Sequence, residues 1–189
     1  VENGGLVLLD IENNNVLTMV SKPELNRSDN HSLTNYMLQP IFPGSVFKTV
    51  ISAAAIEYGL DDATREYDCN LNLYGENDGG QDDGMLTFAR SFAKSCNYTF
   101  TTLAEELMEK DASAIEETAT KLGLIGPVGW TGEVFHYPQF KQFPEEKSGR
   151  VWGNDADKKV KRAIDQTAIG QKDVKVTPLG VVNMMSTIA

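Results

Sequence analysis

A long apolar stretch with a single charge is the feature of this sequence that most limits its fold. Between residues 41 and 56 the only charged side chain is Lys48, and it stands among valine, isoleucine, phenylalanine and alanine. The pattern predicts a helix over residues 45–58 that ends at Gly59. Because a helix that is apolar around most of its circumference is buried, the chain must enclose it in a packed core.

Lys48 is the chemical anomaly of that helix. Burying an ammonium group is costly unless the group is paired or its pKa falls far enough for it to be neutral. Ser45 lies three residues earlier, on the same face and at the helix N-terminus, where free N–H groups favour negative charge. A hydroxyl, a lysine able to act as a base and a place for an oxyanion therefore come together, as in nucleophiles that lysine activates.

A second candidate element is the triplet Ser95-Cys96-Asn97. It lies in a break between two predicted helices, at residues 87–93 and 100–110. On an irregular turn, side chains two positions apart can point the same way. The serine can pass a proton to a leaving group, and the asparagine can hold an amide substrate or the lysine. Ordinary loops often contain Ser-x-Asn, so this triplet alone indicates little.

Two further regions of regular structure frame the helical part. Apolar strands joined by an asparagine-rich turn predict a β-hairpin over residues 5–21, and we expect its strands inside a sheet covered on both faces. Thr177 as N-cap and Pro178 at the first helical position predict a last helix. Another helix is predicted over residues 112–122, and residues 126–157 are expected to be ordered but irregular.

Composition excludes several classes of function. The net charge of −10 argues against a nucleic-acid-binding surface, which is basic and clustered. Metal-site spacing is absent from the cysteines and histidines, which are Cys69, Cys96, His31 and His136. The acidic, glycine-rich residues 76–84 do not fit a calcium loop and are predicted to be a solvated turn. We therefore expect neither a metal nor a cofactor.

Taken together, the two motifs resemble the penicillin-binding protein and serine β-lactamase superfamily, whose signature is Ser-x-x-Lys, then Ser-x-Asn, then Lys-Thr-Gly. The second motif has the class B form, including its cysteine. The resemblance covers nearly the whole chain and follows the order of that family: an entry hairpin, a nucleophile segment, the second motif and the approach to a late helix. These segments are residues 5–23, 39–48, 84–97 and 169–179.

The sequence also departs from the family pattern. Val46 stands where the resemblance leads us to expect threonine, and Lys172 and Gly180 stand where glycine and glutamine are more usual. No Lys-Thr-Gly or Lys-Ser-Gly follows residue 179. The resemblance therefore implies a partial transpeptidase domain, residues 1–189, that lacks the C-terminal strands and the third motif.

The implied fold class is α+β: a truncated penicillin-binding/β-lactamase-like transpeptidase fold with an N-terminal β-hairpin and a mostly helical subdomain. Without the late strands, we expect the hairpin either to remain a two-stranded sheet or to have its edge covered by a neighbouring molecule. We also expect Cys69 and Cys96 not to be bonded to each other. A bridge at the second motif would fix a loop that must admit substrate.

The resemblance implies a role for each candidate residue. Ser45 would attack the carbonyl of a D-Ala-D-Ala stem peptide, and Lys48 would take its proton. Ser95 would help to carry that proton to the departing D-alanine, while Asn97 would position the substrate and the lysine. β-Lactams would acylate the same serine. No metal or cofactor would be needed, and this chain alone, without the third motif, is expected to be inactive.

The implied parent is a class B penicillin-binding protein, a peptidoglycan D,D-transpeptidase that works in a cell-wall synthesis complex. An N-terminal span upstream of Val1 would anchor it at the extracytoplasmic face of the bacterial membrane. Two other interpretations fit the same motifs. One is a β-lactamase or D,D-carboxypeptidase, which gives the acyl group to water. The other is a non-catalytic β-lactam sensor or scaffold module.

Overall fold

The computed structural model describes residues 4–77 and 83–189, in which short antiparallel strand pairs alternate with helices. The strands are β1 (Gly4–Leu9), β2 (Val16–Lys22), β3 (Glu66–Asp68), β4 (Met85–Thr87), β5 (Thr131–Val134) and β6 (Tyr137–Lys141). The α-helices are α1 (Lys48–Glu57), α2 (Phe88–Lys94), α3 (Asn97–Lys110), α4 (Ala114–Lys121), α5 (Lys161–Ala168) and α6 (Pro178–Ile188). Within the described residues, β1 pairs with β2, β3 with β4 and β5 with β6, each antiparallel. The predicted α+β class is confirmed.

The chain divides into two compact units. The first contains the chain up to Ile41 together with Thr120–Arg150 and Lys175–Ala189, and so holds the β1–β2 and β5–β6 hairpins and α6. The second contains Phe42–Ala119 and Val151–Val174. All four candidate site residues lie in this second, mostly helical unit.

The core of the second unit is built around α1. Val50, Ile51 and Ala54 of α1 are fully buried, and α1 packs against α3, which in turn packs against α5. The buried helix predicted from the charge-free stretch is therefore confirmed. Its regular part begins at Lys48 because Gly44–Phe47 forms a 3-10 turn that leads directly into it.

Helix α5 was not predicted, because the charged residues before and at its start look like a solvated basic run. It nevertheless has a strongly amphipathic pattern: Ala163, Ile164 and Ala168 are buried. The prediction for α3 began three residues too late, since α3 starts at Asn97. Part of the second candidate motif thus belongs to the helix itself.

The β1–β2 hairpin in the first unit is confirmed, but its surroundings differ from the prediction. Four of its apolar side chains are 50–60% exposed, namely Leu6, Leu8, Leu17 and Val20, whereas Leu9 is buried. A sheet covered on both faces was therefore wrong for these strands. The sheet has two strands, as the resemblance implied, and no third strand among the described residues pairs with either of them.

Two expectations for the rest of the first unit had different outcomes. Thr177 caps α6, since its Oγ1 accepts a hydrogen bond from Gly180 N at 2.9 Å, and Pro178 occupies the first turn as predicted. Residues 126–157, which were expected to be irregular, instead contain the β5–β6 hairpin. Its strands are largely exposed, so they lack the buried alternation by which a strand is recognised in a sequence. Residues 78–82, within the predicted solvated turn, lie outside the described residues.

The expectation of two unpaired cysteines was wrong: Cys69 and Cys96 form a disulfide. Their Cα atoms are 5.8 Å apart, and both residues are buried. Cys69 is held by the strand pair β3–β4, because its N–H donates to Gly84 O at 2.9 Å just beyond the paired residues. Cys96 is held by its place in the break between α2 and α3. Because helices already hold this break in place, the bridge joins a rigid segment to the end of β3.

Removing the disulfide should lower the stability of the chain. The bridge closes a loop with a sequence separation of 27 residues, for which loop-closure entropy corresponds to about 3.5 kcal/mol. We expect a reductant to lower the free energy of unfolding in denaturant by about that amount. A Cys69→Ser, Cys96→Ser double variant should have the lower stability already and should not respond to reductant. Two titratable thiols in the untreated native chain would contradict the pairing.

A buried carboxylate on α5 is the least well satisfied group in the second unit. Asp165 is 1% exposed, and neither of its carboxylate oxygens has a hydrogen-bond partner among the described residues. Lys161 Nζ lies 3.8 Å from Oδ1, but Lys161 is also bonded to Glu105 of α3. Burial, reinforced by Glu105, raises the pKa of Asp165 to about 7. The folded chain therefore retains this proton at pH values where the unfolded chain has lost it.

Stability should consequently fall as the pH rises. Below about pH 4 the aspartate is protonated in both states, and between about pH 4 and 7 only the unfolded chain loses the proton. We expect Asp165→Asn to raise the free energy of unfolding by about 2–4 kcal/mol at pH 8 and to flatten this decline. Asp155→Asn, at a side chain that is 95% exposed, is the control and should change little. Equal stability of wild type and Asp165→Asn at pH 8, measured by denaturant unfolding, would contradict the argument.

Candidate active site

Ser45 stands at an exposed point where the chain enters the buried helix. It belongs to the 3-10 turn Gly44–Phe47, which begins at a glycine with φ of +55° and runs into α1. Ser45 is exposed, whereas Phe47 and Lys48 are buried. Its hydroxyl has no hydrogen-bond partner among the described residues. The side chain is therefore free to approach a ligand.

Lys48 is 2% exposed, and its amine is surrounded by oxygen atoms of the second motif. Nζ donates to Ser95 O at 2.5 Å, to Ser95 Oγ at 2.9 Å and to Asn97 Oδ1 at 2.7 Å. It also lies 5.5 Å from the centroid of the Phe100 ring. The structure thus brings three of the four candidate residues into direct contact, and Lys48 does not point into solvent.

The electrostatics of Lys48 follow from its burial. No carboxylate among the described residues forms an ion pair with Nζ; its acceptors there are neutral oxygens. Burial lowers the pKa of the Lys48 ammonium from 10.5 to about 8. A tenth or so of the lysines would then be neutral near pH 7, which gives the amine a lone pair for proton abstraction.

The side chains of Ser45 and Lys48, expected to be in contact, are not joined by a hydrogen bond. The two residues are one turn apart, and Lys48 N donates to Ser45 O, but no hydrogen bond joins Ser45 Oγ to Nζ. Catalytic hydrogen bonds are often long in unliganded sites and shorten when substrate binds. In this state the amine is held by Ser95 and Asn97, and the Ser45 hydroxyl forms no hydrogen bond with any of the described residues.

The backbone between α2 and α3 explains how Ser95 and Asn97 reach the same amine. Ser95 adopts the left-handed conformation, with φ of 57°, and ends α2: Ser95 N donates to Phe92 O and Cys96 N to Ser91 O. Asn97 is the first residue of α3. This sharp reversal directs the side chains on either side of Cys96 to Lys48, while Cys96 itself is buried in the disulfide.

A buried polar layer also supports this turn. Thr99 Oγ1 donates to Ser91 Oγ at 2.8 Å, and Cys69 Sγ lies 3.6 Å from Thr99 Oγ1. Together with the bridge to Cys96, these contacts join the end of β3 to α2 and α3. No local sequence signal marks this layer, since its members are far apart in the chain and small.

Another contact missed by sequence reasoning lies directly before Ser45. Gly44 N donates to Gly170 O at 3.1 Å, so the residue preceding Ser45 is bonded to the segment that follows α5. In the sequence, only the family resemblance of residues 169–179 marks this segment. Its contact with the nucleophile segment is a property of the folded chain.

One Lys-Ser-Gly triplet, residues 147–149, occurs in the sequence before α6. It lies in the first unit, where Lys147 N donates to Leu38 O at 3.1 Å. None of the hydrogen bonds of Lys48 involves it. The triplet therefore does not belong to the cluster around the lysine, and it stands earlier in the chain than the family signature puts its third motif.

Two other features are absent from the described residues. No three histidine, cysteine, aspartate or glutamate side chains among them are grouped so that they could hold a metal ion. No helix within residues 4–77 and 83–189 combines the length and the apolar character needed to cross a membrane.

Comparison with known proteins gives a consistent result. Over 216 aligned residues the chain is 27% identical to the peptidoglycan D,D-transpeptidase PbpA of Mycobacterium tuberculosis, with 98% of the chain and 40% of that protein covered. The chain thus spans about 40% of the length of the curated relatives it matches.

Solved structures are similar over the same extent. The crystal structure of PBPA from M. tuberculosis has a TM-score of 0.73 at 26% identity and covers 98% of this chain and 44% of the other. The ceftriaxone acyl-enzyme complex of that protein has a TM-score of 0.72 at 25% identity, over 98% of this chain and 44% of the other. The transpeptidase domain of penicillin-binding protein 3 from Burkholderia pseudomallei shares the fold, with a TM-score of 0.71 at 19% identity over 100% of this chain and 50% of the other.

The family assignment rests on nearly the whole chain. The sequence model of the penicillin binding protein transpeptidase domain matches residues 4–189, which include both motifs and every element described above. The chain therefore belongs to the penicillin-binding protein transpeptidase family.

Proposed function

We propose that this chain is the part of a peptidoglycan D,D-transpeptidase that carries the acylated serine, its base and the second motif. The observation that carries the proposal is the enclosure of the buried Lys48 amine by Ser95 and Asn97, one turn after the exposed Ser45. The name of the M. tuberculosis relative and the ceftriaxone acyl-enzyme complex support the same chemistry.

In the proposed acylation step, the neutral Lys48 amine takes the proton of Ser45 as Ser45 Oγ attacks the D-Ala-D-Ala carbonyl carbon. A tetrahedral intermediate forms with its negative charge on the former carbonyl oxygen. Lys48 Nζ lies 2.9 Å from Ser95 Oγ, which makes Ser95 a short relay to the departing nitrogen. When that nitrogen is protonated, the peptide C–N bond breaks, D-alanine leaves and an ester with Ser45 remains.

In the transpeptidation step the proton then moves in the opposite direction, back to Ser45. The amine of a second stem peptide attacks the ester carbonyl and gives up a proton through the same relay. The ester C–O bond breaks, Ser45 regains its proton and a new peptide bond joins the two stems. Asn97 holds the lysine at 2.7 Å throughout, so the base does not leave the site between the two half-reactions.

The proposal assigns residues 1–189 to a partial transpeptidase domain and the Lys-Thr-Gly segment to a part of the parent outside them. The family signature includes a third motif, and the chain covers 40% of the relative's length. In this arrangement the third motif would supply a second oxyanion donor and bind the substrate carboxylate. This chain alone would then acylate poorly, since losing one oxyanion donor costs about 10²–10³ in rate.

The proposal also places the parent outside the cytoplasm, anchored to the membrane by an upstream span and acting in a cell-wall synthesis complex on stem peptides. Peptidoglycan, the proposed substrate, lies outside the cytoplasm. The disulfide between Cys69 and Cys96 supports this location, because structural disulfides persist in oxidising compartments.

A fluorescent penicillin tests the assignment of the nucleophile. The full-length parent should be labelled stoichiometrically, and Ser45→Ala should remove the label because it removes the hydroxyl that forms the ester. Ser28→Ala, at an exposed loop serine, is the matched control and should be labelled as wild type is. The 189-residue chain should be labelled at least 10²-fold more slowly than the parent. Label that persists in Ser45→Ala would refute the nucleophile, whereas rapid labelling of the short chain would show that two motifs suffice.

A second measurement separates transfer from hydrolysis. The parent is incubated with a D-Ala-D-Ala stem peptide and an amine acceptor, and the products are analysed by mass spectrometry. The proposal predicts an amide to the acceptor as the main product. A free acid as the main product would identify a carboxypeptidase, and rapid turnover of the β-lactam itself would identify a β-lactamase.

The pH dependence of acylation tests the base. Only neutral Lys48 can take the proton, so the second-order rate constant for a β-lactam should rise about tenfold per pH unit below about pH 8 and level off above it. Lys48→Met should lower the plateau by about 10²–10⁴ and abolish this rise. Lys94→Met, at an exposed lysine on α2, is the control and should keep both. A rate that does not change between pH 6 and 9 in wild type would contradict a lysine base.

A further inference from the structure

The nucleophile is preceded by an unusually close contact between two backbone segments. Gly44 N donates to Gly170 O at 3.1 Å, and the two glycines lie against each other without any side chain between them. A Cβ atom on Gly170 would lie 2.1 Å from Gly44 O and 2.8 Å from both Gly44 C and Gly44 N. All three of these are backbone atoms, so no side-chain rotation could make room.

Gly170 is held in place by the helix that it terminates. Its φ of +69° gives it the left-handed conformation that ends α5. Gly170 N donates to Thr167 O and Gln171 N to Gln166 O, which is the hydrogen-bond pattern of a Schellman motif. Helix α5 packs in turn on α3, whose first residue holds Lys48. The end of α5 is thus a rigid surface, fixed to the element that orients the base.

We propose that Gly170 is a positioning residue for acylation: it sets the place of the backbone at Gly44 and thereby that of Ser45 relative to Lys48. This inference rests on the proposed function. Real Cβ contacts are essentially never shorter than 3.0 Å, so an alanine at position 170 would push the Gly44 carbonyl away by about 1 Å. A displacement of that size at a reacting group can cost about 100-fold in rate.

A second glycine of the chain provides a matched control. Gly59 has φ of +66° and ends α1 with the same hydrogen-bond pattern, Gly59 N to Ile56 O and Leu60 N to Ala55 O. A Cβ atom there would meet nothing within 4 Å. Gly59→Ala therefore introduces the same conformational strain on the helix of the nucleophile itself, but displaces no neighbour.

The test measures β-lactam acylation of the full-length parent in three forms: wild type, Gly170→Ala and Gly59→Ala. Stopped-flow kinetics separate the non-covalent affinity from the acylation rate constant. For Gly170→Ala we expect the acylation rate constant to fall about 100-fold. Its pH profile should keep the midpoint near 8, because Ser95 and Asn97 still hold Lys48. Gly59→Ala should acylate like wild type, and circular dichroism should show all three forms folded.

Each other outcome overturns the inference. Equal acylation rate constants for wild type and Gly170→Ala would show that Gly44 does not need this support. Equal losses in Gly170→Ala and Gly59→Ala, or a Gly170→Ala variant that does not fold, would assign Gly170 to the fold alone. Failure of the proposed function is recognised separately, because wild type would then show no acylation that depends on Ser45.

Discussion

The Lys48 amine is enclosed by three oxygen atoms, and the geometry of both motifs depends on that enclosure. An ammonium has three N–H donors, so the three acceptors satisfy it completely; a neutral amine would keep two donors and release one lone pair. The same pocket can therefore hold both protonation states. This is the property a base needs when it must accept and return a proton in each half-reaction.

The second motif is consequently part of the lysine's own environment. Since the acceptors belong to the end of α2 and the start of α3, a rotation of either helix would leave a buried amine without partners, which is costly. The disulfide and the hydroxyls of Ser91 and Thr99 also hold these helix ends. The amine and the covalent bridge thus constrain the same turn.

The parts of this site that could be predicted from the sequence are those with a local cause. A lone charge in an apolar helix is visible in the sequence, and so is the Thr177-Pro178 cap. The disulfide could not be predicted, because Cys69 and Cys96 meet only after β3, β4 and α2 have packed. The hairpin was predicted correctly, but its covering on both faces was not: an apolar strand indicates that its side chains need a packing partner, and its sequence does not say whether that partner lies in the same chain.

Ser95 has a further consequence for how such a site can change. A residue other than glycine in the left-handed region is strained by about 1 kcal/mol, and glycine or asparagine would adopt φ of 57° more readily. The contact between the Ser95 hydroxyl and Lys48 is therefore formed at a backbone conformation that serine does not favour. Any exchange of Ser95 for glycine would relax the turn and remove the hydroxyl of the proposed proton relay at once, so that under this proposal stability and activity are in opposition at this single position.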